Sequence, residues 1–87
     1  MAAVSIPLLL KDVTHGARWV EVEGATLAEI VAALEALYPG IEARIRLGDT
    51  ISPNLAFTVD GKIATQGLAT PVGPDSEVNI LPAFGGG

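Results

Sequence analysis

The chain has 87 residues, enough for one domain and too few for a second core. Hydrophobic residues make up 49% and charged residues 17%, so a packed core is expected over most of the length. The absence of cysteine excludes a disulfide framework, a thiolate nucleophile and any cysteine-held metal or iron–sulfur centre, and the net charge of −5 disfavours nucleic acid and anionic membrane surfaces as partners.

The opening Met1-Ala2-Ala3-Val4-Ser5-Ile6-Pro7 has no basic leading segment, and its apolar run stops at Lys11, too short for a secretory signal or a membrane span. A cytoplasmic protein is expected. Val4 to Leu10 reads as a first strand, with Val4, Ile6, Leu8 and Leu10 on one face and Ser5, Pro7 and Leu9 on the other. Pro7 cannot donate to a ladder and implies a bulge or an unpaired side. Lys11 to Arg18 reads as a turn and Trp19 to Glu23 as a second strand burying Val20 and Val22, which closes an antiparallel hairpin.

Thr26 followed by Glu29 is a capping-box pattern, so a helix should begin at Leu27. Leu27, Ile30, Val31, Leu34 and Leu37 recur at helical spacing and form one stripe, and Pro39-Gly40 stops the helix. Ile41 to Leu47 suggests a short second helix, and Gly48 to Asn54 a loop. Leu55 to Val59 alternates as a strand, Asp60-Gly61 is a strong turn pair, and Lys62 to Ala64 returns as a short strand. Gly73-Pro74-Asp75 is a further turn before a last strand from Val78 to Leu81. This order predicts an α+β domain of the β-grasp (ubiquitin-like) kind over residues 1–82. Its mixed sheet of four to five strands carries one main helix on one face, with the first and last strands parallel at its centre.

Side chains offer little chemistry. The single histidine, His15, sits in a turn beside Gly16 without a second ligand at metal spacing, and reads as an ordinary surface residue. Ser5, Ser52 and Ser76 lack the strand-to-helix elbow of a hydrolase nucleophile. Gly61-Lys62-Ile63 lacks the spacing and hydroxyl of a phosphate loop, so the chain is expected to bind no ATP of its own. No helix follows Gly85-Gly86-Gly87 to supply phosphate-binding amides.

The ending from Ala83 to Gly87 has two explanations. It is a frayed end or linker, or it is a flexible tail whose lack of Cβ atoms lets it thread a narrow channel and present its terminal carboxylate. Extended, five residues span roughly 17 Å. Leu9 and Leu81 fall on the face away from the helix, and Phe84 adds an aromatic at the same end. Either the middle loop covers these residues or they form a partner-docking patch.

Val4-Ser5-Ile6-Pro7, the helix from Thr26-Leu27-Ala28-Glu29 to Tyr38-Pro39-Gly40-Ile41, Gly67-Leu68-Ala69-Thr70, and Val78-Asn79-Ile80-Leu81-Pro82-Ala83 with Gly86-Gly87 together carry a resemblance. The chain resembles the MoaD/ThiS family of ubiquitin-like sulfur carriers, and within it the CysO type, over nearly its whole length. Gly85 departs from the pattern, standing where these carriers commonly have alanine or another small residue.

The resemblance implies that the chain is a cosubstrate and not an enzyme. It implies that an adenylating enzyme of the MoeB/ThiF kind brings ATP and magnesium to the Gly87 carboxylate. Sulfide or a persulfide then displaces AMP to leave a thiocarboxylate, which a downstream synthase uses as sulfur donor. An ionised carboxylate is a poor electrophile, which is why activation is needed. Gly87 is then the reacting residue, Leu9, Leu81, Phe84, Gly85 and Gly86 face the partners, and the chain alone is a monomer. The same body plan serves cysteine, molybdopterin, thiamine and thiosugar synthesis. The small subunit of molybdopterin synthase and a ubiquitin-like protein modifier therefore stand as alternatives.

Overall fold

A computed structural model of the chain describes residues 1–83. Its elements run β1 (Ala2–Ser5), α1 (Lys11–Thr14), β2 (Trp19–Val22), α2 (Leu27–Leu37), α3 (Ile41–Ile45), β3 (Arg46–Leu47), β4 (Thr50–Ile51), β5 (Leu55–Val59), β6 (Lys62–Ile63) and β7 (Glu77–Pro82). Five strands form one sheet in the order β2-β1-β7-β5-β6. β1 and β7 pair in parallel through Val4 and Val78, and the other neighbours are antiparallel. The expected β-grasp architecture, with its central parallel pair, is the one observed.

One face of the sheet is covered by α2. The capping box forms: the Glu29 amide donates to Thr26 Oγ1 at 3.3 Å, while the Glu29 carboxylate accepts from the Ala25 amide at 2.9 Å, one residue before the cap. Leu27, Ile30, Val31 and Leu34 are completely buried against Val4, Val22, Phe57, Val78 and Ile80. Close approach is helped by Gly24, where a Cβ would lie 2.9 Å from the Ile30 nitrogen. Leu37 departs from its expected place in the stripe and is exposed. Tyr38, about three full turns after Leu27, takes the core-facing position instead. At the helix end, the Glu35 carboxylate accepts the amides of Gly40 and Glu42, which joins α2 to α3 and holds that carboxyl below its ordinary range.

Three further expectations need correction. The first strand ends at Ser5 and does not run on to Leu10: Pro7 has no amide to give, and Leu8–Leu10 curls into a 3-10 turn in which the Leu10 amide donates to the Pro7 carbonyl. This turns Leu10 into the core and leaves Leu8 outside, against the expected alternation. The segment read as the turn from Lys11 to Arg18 contains α1, closed by His15 and Gly16 in left-handed conformations. The loop expected over 48–54 contains β4, which pairs back on β3 and brings Ile51 against the core.

The Asp60-Gly61 turn has positive φ at both residues, as a tight hairpin between β5 and β6 requires. Asp60 also anchors the start of β7. Its carboxylate accepts the Glu77 amide at 2.9 Å and the Ser76 hydroxyl at 2.8 Å, and these bonds hold it below the ordinary aspartate range.

Candidate functional site at the strand exit

Among the described residues, no helix covers the face of the sheet away from α2. Because neighbours are set by pairing, one row of outward residues can be followed across all five strands: Trp19, Ser5, Asn79, Thr58 and Ile63. Its middle is polar, with the Ser5 hydroxyl donating to Asn79 Oδ1 at 2.7 Å. Its two ends are apolar and open, Trp19 at 56% and Ile63 at 73% exposure. Two residues further along β7, Leu81 continues the same face opposite Ala56.

Parallel pairing of β1 with β7 decides what lies beside Leu81. Beyond Ser5 the chain continues alongside Ile80 and Pro82, so the 3-10 turn is set down next to the exit of β7. Leu8, Leu9, Trp19, Leu81 and Pro82 line a groove of about 660 Å³ there, floored by Ser5 and Asn79. The sheet ladder persists to the exit, since the Ala83 amide donates to the Asn54 carbonyl at 2.8 Å. The hollow around Met1, Glu23 and Gly24 lies at the opposite end of these strands, where Ala2 pairs with Val22.

Leu9 and Leu81, both picked out from sequence, are each 43% exposed and line this one groove. Leu9 reaches it from the turn and not from a strand position. The β3–β4 hairpin, which might have served as a cover, contributes no residue to the groove. Phe84, Gly85, Gly86 and Gly87 lie outside the described residues.

Among the groove residues not singled out from sequence are two large exposed apolar ones, Trp19 and Leu8. Trp19 was legible, because burying Val20 and Val22 forces Trp19 outward, whereas Leu8 was hidden by the expectation of a longer strand. The outer wall of the groove is braced from α3. One Arg44 amino group donates to Asp12 Oδ2 at 2.8 Å and the other to the Leu9 carbonyl at 3.2 Å. The bond from Arg44 holds the Asp12 carboxyl below its ordinary range.

His15 is exposed and caps α1. Among the described residues, no group of three or more histidine or carboxylate side chains is placed to hold a metal ion, and no helix is long and apolar enough to cross a membrane. What this end of the domain offers is a shaped apolar surface beside the point where the chain leaves the sheet.

Known proteins share both the sequence and this shape. The profile of the ThiS family matches residues 5–87. The sulfur carrier protein CysO of Mycobacterium tuberculosis is 36% identical over 91 aligned positions, covering 97% of this chain and 96% of that protein. The crystal structure of Mycobacterium tuberculosis CysO superimposes with a TM-score of 0.89 at 31% identity, covering 97% of this chain and all of that one. A chain from the Amycolatopsis orientalis BexX/CysO complex superimposes with a TM-score of 0.92 at 32% identity, with full coverage of both. On this agreement of profile, sequence and fold, the chain belongs to the ThiS family.

Proposed function

We propose that the chain is a sulfur carrier whose reacting group is the Gly87 carboxylate, and that the groove beside the β7 exit is where an adenylating enzyme docks to draw that carboxylate to ATP and magnesium. The observation carrying this reading is the groove's position. An enzyme that takes the residues following Ala83 must sit over the surface from which they emerge, and that surface is the apolar end of the open face, with Leu9 and Leu81 in it. The match of the ThiS profile through residue 87 and the sulfur carrier relatives support the same reading. The Amycolatopsis orientalis CysO was crystallised in complex with a second protein, BexX, which agrees with a domain built to be held.

In this reading a Gly87 carboxylate oxygen attacks the α-phosphorus of ATP, and pyrophosphate leaves. Hydrosulfide then adds to the acyl carbon of the adenylate, and AMP departs with the C–O bonding electrons. The proton goes to solvent and a thiocarboxylate remains at Gly87. The tail supplies the reacting atoms, while the domain fixes where they are delivered. Phe84 joins Leu9 and Leu81 against the enzyme, Gly85 and Gly86 pass through its channel, and a downstream synthase accepts the sulfur.

The test is intact-mass measurement after incubation with a MoeB/ThiF-type adenylating enzyme, ATP, magnesium and sulfide. The full chain should gain the mass difference between sulfur and oxygen, and a chain lacking Gly87 should gain nothing while keeping its melting temperature. Sulfur on the shortened chain, or on a side chain, would overturn the reading.

A further inference from the structure

We infer that Arg44, which lies on α3 and contributes nothing to the groove surface itself, is a positioning residue for docking: it fixes the Leu8–Leu9 wall of the groove through a two-point clamp. The inference rests on the docking role proposed above for that groove. Its basis is the geometry of one guanidinium. Arg44 reaches across 32 residues to Asp12 at 2.8 Å and across 35 to the Leu9 carbonyl at 3.2 Å. The first contact grips α1 and the second grips the turn immediately before it, so the 3-10 turn is held from outside at its middle residue and just beyond its C-terminal end.

The turn needs such support because of what it lacks. Leu8–Leu10 is a single 3-10 turn whose N-cap, Pro7, makes no side-chain capping bond, and only Leu10 of the three is anchored in the core. Leu8 is 61% and Leu9 43% exposed, so neither is locked in place by burial in the core. A planar guanidinium can satisfy a carboxylate and a carbonyl together with little loss of rotamer freedom, whereas an ammonium grips one point at a time. With side-chain exposures of 39% for Arg44 and 66% for Asp12, the pair lies in the class of surface ion pairs that add little to global stability. Its consequence is local: it sets where two apolar side chains stand before a partner arrives, which lowers the ordering cost of binding.

The experiment measures ATP–pyrophosphate exchange by the same adenylating enzyme as a function of carrier concentration. Arg44→Ala and Asp12→Ala should each raise the KM for the carrier about three- to tenfold with kcat unchanged, as expected for a lost docking contact. Arg44→Lys should recover part of the loss. In a Leu8→Ala/Leu9→Ala background, Arg44→Ala should add nothing further, since its effect runs through that wall.

An unchanged KM in Arg44→Ala, alongside a raised KM in Leu81→Asp, would overturn the positioning role and leave the docking groove standing. Asp12→Ala leaving KM unchanged while Arg44→Ala raises it would also overturn it, by making Arg44 a direct contact. Leu81→Asp without effect would remove the docking groove and this inference with it.

Discussion

The two faces of the sheet are built from alternate residues of the same strands, yet they are solved differently. On β7, Val78 and Ile80 are sealed under α2 while Leu81 stands 43% open; on β2, Val22 is sealed while Trp19 is 56% open. The covered face is apolar at every position that meets the helix, which is what folding needs. The open face is polar at its centre, where Ser5 and Asn79 bond to each other, and apolar toward the exit of β7. Scattered exposed hydrophobic residues are ordinary, but Leu8, Leu9, Trp19 and Leu81 are gathered around one groove. The comparison separates residues that hold the domain together from residues that the domain holds out.

Substitutions on the two faces should therefore fail in different assays. Phe57→Ala, beneath the helix, should lower unfolding free energy by about 3–5 kcal/mol in a denaturant titration, and a loss under ~1 kcal/mol would break the comparison. Leu81→Asp should leave stability within about 0.5 kcal/mol and weaken adenylating-enzyme binding by about 2 kcal/mol, roughly thirtyfold in titration calorimetry. Thr26→Ala removes the cap of α2 and should lower stability by about 1 kcal/mol without altering that affinity.

The smallest effect concerns acid. The carboxyls of Asp60, Glu35 and Asp12 all titrate below their ordinary values because hydrogen bonds favour their charged forms. Their contribution to stability is complete above the unfolded carboxylate range of about pH 4 and is lost as pH falls through the lower folded values. Thermal melts through that range should fall with acid, and Asp60→Asn should flatten the fall slightly. An unaltered slope would deny Asp60 a part in it.

Much of this was legible in the sequence because periodicity and punctuation agreed. The Thr26–Glu29 box started α2 where expected, Asp60-Gly61 turned the β5–β6 hairpin, and alternation from Leu55 to Val59 marked β5 to the residue. The sulfur carrier function expected from the resemblance is supported by the family profile and by relatives aligned over nearly their whole length. What periodicity missed was local competition: an apolar run from Leu8 to Leu10 satisfies a strand pattern, but Pro7 favours a turn over a ladder there. The β3–β4 hairpin was illegible because two-residue strands are too short to show any alternation. Leu81 could be placed on the open face because strand geometry is strictly alternating. Arg44 could not be found, since no pattern in the chain links residues 35 positions apart.

The central strand of the sheet, β7, is the last element among the described residues, and it binds β1 near the start and β5 on its other side. No stable sheet can close before the segment Glu77–Pro82 has been made, so contact order is high at the one pairing on which the others depend. A nascent or shortened chain lacking β7 would leave β1 and β5 with unpaired edges prone to aggregate. Completion of the strand is in this way a quality check: the groove beside the β7 exit exists only in a chain that has already folded.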